Sequence, residues 1–141
     1  MIAESHKWFV YADENLAVAR MALKSGYYNA CLQNIQQAVE KFLKAALLSK
    51  NVIFEKTHSI VTLNRQVVAT GVETLLSEEE CELLDTIYVP SKYPMGSALP
   101  AFHPDEEIGQ QCVEIADKIR QAVQPLITSC DLELNPKSKN E

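Results

Sequence analysis

The feature that most restricts the fold of this chain is a set of apolar stripes, each recurring at three- and four-residue steps, with no sustained alternation of period two. A stripe of that kind runs along one side of an α-helix and needs cover from another element. Over residues 4 to 24 it consists of Trp8, Tyr11, Ala12, Asn15, Leu16, Ala19, Ala22 and Leu23, with Asn15 its one polar interruption. Ser25 and Gly26 end it, because glycine takes the left-handed conformation that closes a helix. From about 27 to 49, Cys31, Leu32, Ile35, Ala38, Val39, Phe42, Leu43 and Ala46 share one side of the helical wheel, and Gln33, Gln37, Glu40, Lys41 and Lys44 form a polar band on the other.

Three further helices follow. One runs from about His58 to Thr70, with Ile60, Leu63, Val67 and Val68 apolar, Thr57 or Ser59 as its cap and Gly71 as its stop. Ser77 and Glu80 stand in the capping-box relation and open a fourth helix, with Cys81, Leu84, Ile87 and Tyr88 inward. This helix is expected to stop before Pro90. Pro104 suits a first helical position, Asp105, Glu106 and Glu107 complement the helix dipole, and Ile108, Cys112, Ile115, Ile119, Val123 and Leu126 carry a fifth stripe to about residue 124 or a little beyond.

Five amphipathic helices on mostly short links cover their stripes only against one another, which predicts an all-α, up-and-down antiparallel bundle. At 141 residues and 47% hydrophobic the chain suits a single core, here read as residues 1–127, followed by a polar tail from Thr128 to Glu141 too poor in apolar groups to order itself. No run approaches the roughly 18–20 apolar residues of a membrane span, so a cytoplasmic protein is expected. The four cysteines lack any CxxC spacing, and Cys31, Cys81 and Cys112 fall on apolar faces, so neither disulfides nor zinc are expected, and no cofactor is called for. A net charge of −6 repels polyphosphate, which excludes nucleic-acid binding by the surface as a whole and confines any phosphate contact to a local site.

Candidate sites fall in three places. The stretch YVPSKYPMGSALPAFHP, residues 88 to 104, carries four prolines and displays Lys92, Tyr93 and His103; long loops concentrate functional residues, although a stiff crossover over the bundle end is the plainer reading. A His acting as general base and a cation at the phosphorane would together cleave RNA if Lys92 and His103 meet. In the polar band, Glu40 and Lys44 stand in the favourable order for an i,i+4 ion pair, which the spacing places on the solvated outer face. His58 sits at the start of the third helix, where it caps the end or meets an anion drawn to free N–H groups. Trp8 and Tyr11 read as core or dimer-contact residues, and Asn15 as a buried polar residue fixing helix register.

Three segments together resemble the HEPN domain family: NACLQNIQQAVEKFLKAALL in the second helix, KTHSIVTL entering the third and YVPSKYP at the end of the fourth. The resemblance spans about Trp8 to Leu126. It implies a small helical bundle, often a homodimer, encoded beside or fused to a minimal nucleotidyltransferase in toxin–antitoxin pairs, with a nucleotide-binding role proposed for the family. Many members are metal-independent RNases that use an Arg, four to six intervening residues and a His. Here Arg20, Arg65 and Arg120 have no His at that spacing, and Lys92 stands where similar members carry an Arg before TyrPro. Lysine keeps the charge and loses the planar fork.

The resemblance therefore implies a nucleotide- or partner-binding module with Gln37, Glu40, Lys41, Lys44, His58, Lys92, Tyr93 and His103 as candidate contacts. The alternative is an RNase toxin with a rearranged Lys92/His103 site. A third reading has Tyr93 or Tyr88 accept a nucleotide from the partner enzyme.

Overall fold

The computed structural model describes residues 2–54, 56–92 and 103–134, with the backbone alone for 2, 3, 88–92 and 128–134. Five helices follow one another: α1 (Ile2–Lys24), α2 (Tyr28–Ser49), α3 (Ile60–Ala69), α4 (Glu78–Lys92) and α5 (Glu106–Leu134). No strand occurs among the described residues, and the chain forms the antiparallel helical bundle that the stripes predict.

The reversal between α1 and α2 is set by Gly26, whose φ of +81° a residue with a Cβ reaches only at a cost. It lets the Gly26 and Tyr27 amides donate to the Leu23 and Ala22 carbonyls at 3.1 and 2.8 Å, which terminates α1 and turns the chain at once. α1 and α2 then lie side by side, and α5 packs on both. Gly109 of α5 faces Leu23 there, its Cβ position 2.7 Å from Leu23 Cδ1, the movable end of a half-buried side chain. The interior holds Leu16, Ile35, Phe42, Leu43, Ile115 and Ile119, all fully enclosed, and Phe9 meets Phe42 edge to face at 5.2 Å. Each such aliphatic side chain contributes about 1.5–3 kcal/mol of burial. α3 and α4 pack on α2 and on each other.

Helix starts follow local chemistry. Ser77 and Glu80 form the reciprocal capping box, Ser77 N–H to Glu80 Oε1 at 2.9 Å and Glu80 N–H to Ser77 Oγ at 3.1 Å. Ser59, rather than Thr57, caps α3 by accepting from the Thr62 amide at 3.2 Å. Asp105 accepts from the Ile108 amide at 2.9 Å at the head of α5. Burial opposes ionisation of Glu80, yet Lys118 Nζ at 2.5 Å and the Ser77 donors outweigh it and hold its carboxyl below the usual range. Between α1 and α5, Arg120 grips Asp13 with two bonds of 2.7 and 3.2 Å, which raises its pKa further, and Arg20 pairs with Asp117.

Several expectations are corrected. α4 does not stop before Pro90 but reaches Lys92, because one proline deletes one N–H donor and a helix already formed continues past it. α5 likewise passes Pro125 and runs to Leu134, beyond the end expected near residue 124, propagation costing far less than initiation. Of the two roles expected of Tyr11, core or dimer contact, the first does not hold: it is 55% exposed, and Phe9 occupies the buried side in its stead. Burial pushes the thiols up, Cys31 to about 11 and Cys81 and Cys112 to about 12, and all three are free. No helix is long and apolar enough to cross a membrane among the described residues.

Candidate functional site

The polar band of α2 is not a solvated face. From Phe42 to Leu48 this helix is buried on every side, and Glu40 and Lys44 lie 4% and 7% exposed within it. A buried charge requires a partner, and these two supply one another: Lys44 Nζ donates to Glu40 Oε2 at 2.9 Å. The other carboxylate oxygen faces the chain entering α3. His58 Nδ1 lies 3.0 Å from Glu40 Oε1, the nitrogen donating to the carboxylate, and Gln36 Nε2 reaches the same oxygen at 3.4 Å. Gln36 Nε2 also donates to the His58 carbonyl at 3.1 Å, and Gln37 Nε2 to Gln36 Oε1 at 3.1 Å.

Aromatic rings close the other side of the cluster. Trp8 of α1 and Phe54 of the α2–α3 link meet edge to face at 5.7 Å, and the Lys44 ammonium stands 5.5 and 5.1 Å from their ring centres. Both faces are electron-rich, so the rings add to the carboxylate in compensating the cation. Glu40 is thus committed at both oxygens, and Lys44 is enclosed. Neither is disposed to take a proton from, or hold a phosphate of, an incoming ligand. The cluster latches the α2–α3 link onto α2.

The remaining candidates separate. Lys41 turns away from this cluster and donates to Asn15 Oδ1 at 2.7 Å, while Asn15 Nδ2 donates to Asn34 Oδ1 at 2.9 Å. Asn15 is half-buried and does bind α1 to α2. His58 does not meet a free helix end: the α3 amides beside it are taken by Asp85 of α4, which accepts from Ile60 N–H at 2.6 Å and Val61 N–H at 3.1 Å, and from Ser59 Oγ at 3.0 Å. His103 is exposed just before Pro104. Lys92 is the last residue of α4, its side chain lies outside the described residues, and so does Tyr93.

Two grooves flank these residues and a third lies at the α1–α2 turn. One of about 410 Å³ is lined by Glu4, Lys7, Trp8, Tyr11, Leu48 and Phe54, directly over the aromatic end of the cluster. A smaller one of about 190 Å³ is lined by Tyr11, Glu14, Asn15, Val18 and Lys41. A larger one of about 730 Å³ at the α1–α2 turn contains Arg20 and Lys24 but equally Glu106 and Asp117, so it offers no net attraction to an anion. Sequence reasoning missed Gln36, Phe54 and Asp85. The signal for Glu40 and Lys44 was the run FLKAALL, apolar all round, which marks an enclosed helix whatever charge interrupts it.

The sequence matches the HEPN domain family over residues 5–126. The "Putative toxin MJ1304" of Methanocaldococcus jannaschii is 26% identical over 127 residues, 82% of this chain and 83% of that protein. Among solved structures, TT1696 from Thermus thermophilus aligns with a TM-score of 0.69 at 26% identity, covering 86% of this chain and 97% of its own. ST0689, described as an archaeal HEPN homologue, aligns with a TM-score of 0.66 at 27% identity, covering 87% and 97%. With nearly all of its helical core inside that match, the chain belongs to the HEPN domain family.

Proposed function

We propose that this protein is a HEPN-type binding module with a toxin-like role: the non-transferase half of a pair with a minimal nucleotidyltransferase, homodimeric, and taking a nucleotide or that partner as its ligand. The observation that carries this reading is the family match over residues 5–126 on a chain whose arginines lack a His at the RNase spacing. The toxin-named relative supports the toxin-like part.

Light scattering on the purified chain, calorimetric titration with ATP and other nucleotides, and co-expression with the nucleotidyltransferase of an adjacent gene test the proposal. A dimer that binds a nucleotide or forms the complex is expected. A strict monomer that does neither removes the reading. Intact mass from the same co-expression reports any nucleotide transferred to Tyr88 or Tyr93.

A second reading is a metal-independent RNase built on Lys92 and His103, favoured by the exposure of His103 beside the head of α5. Labelled RNA incubated with the wild type and with the Lys92→Ala, His103→Ala double variant decides it. Cleavage by the wild type alone supports the site; equal cleavage or none in both rejects it.

A further inference from the structure

We draw no further inference here: the strongest candidate, the groove of about 440 Å³ over the head of α2 lined by Tyr27, Tyr28, Asn29 and Pro104, rests on a helix N-terminus without a side-chain cap, and nothing in the structure shows what ligand it takes.

Discussion

Removing the Glu40 carboxylate isolates the contribution of the buried cluster. In Glu40→Ala the Lys44 ammonium, its side chain 9% exposed, is left without its counter-ion, and His58 and Gln36 lose their common acceptor. Breaking a buried pair from one side costs about 3–5 kcal/mol, since an uncompensated charge remains. Two features lower the figure here. The rings of Trp8 and Phe54 retain about 0.5–2 kcal/mol of attraction for the cation, and the lysine stem has the length to carry its head toward water. We expect about 3 kcal/mol, or a fall of about 9–12 °C in Tm at about 3–4 °C per kcal/mol for a domain of this size. Chemical denaturation at pH 7 measures it. Lys44→Met fills the same space between the rings without a charge, so the Glu40→Ala, Lys44→Met double variant is expected to recover most of the loss. A loss below about 1 kcal/mol in the single variant, or no recovery in the double, would refute the claim that this pair is enclosed, since a cost that small is what solvated pairs show.

Three other outcomes are expected. Asp85→Ala removes the acceptor for two α3 amides and is expected to cost about 1–2 kcal/mol, with amide exchange rising in α3 before α1. Glu80 has a folded pKa lowered from 4.5, so the stability it contributes is fully present above about pH 4.5 and is lost as pH falls through the folded value; the stability difference between wild type and Glu80→Gln, followed by urea melts, should narrow at about pH 3 relative to pH 7. With Cys130→Ser in place, Cys31, Cys81 and Cys112 should resist a thiol reagent at pH 8 in the native state and react on unfolding, because each is enclosed and its pKa is pushed up to about 11 or 12.

What was legible in the sequence was whatever acts over short range. The 3.6-residue stripes located all five helices, Gly26 marked the first reversal, and Ser77 with Glu80 announced its own reciprocal bonds three residues apart. What was not legible depends on residues distant in the chain. An i,i+4 Glu–Lys pair reads the same in water as in a core, and only Trp8, Phe54 and His58, brought over it by the fold, decide between the two. Asp85 caps a helix 25 residues upstream of it, which no local motif encodes. Tyr11 reads as a core or dimer-contact residue because apolar groups lie on two sides of α1, and periodicity alone does not say which side faces in.

The packing pattern divides the molecule unequally. α1, α2 and α5 all touch one another and form a frame, whereas α3 and α4 make a leaf whose seat is α2. Among the described residues its polar fastenings include His58 to Glu40 and Gln36 to the His58 carbonyl at its root, and Lys118 to Glu80 across to α5. Its seat is chiefly apolar, with Ile60, Leu63, Val67, Cys81, Leu84 and Ile87 fully enclosed, and the leaf carries the α4 terminus at Lys92. Through His58 on Glu40, and Asp85 on the head of α3, the buried Glu40 thus bears on where α4 and its terminus come to rest.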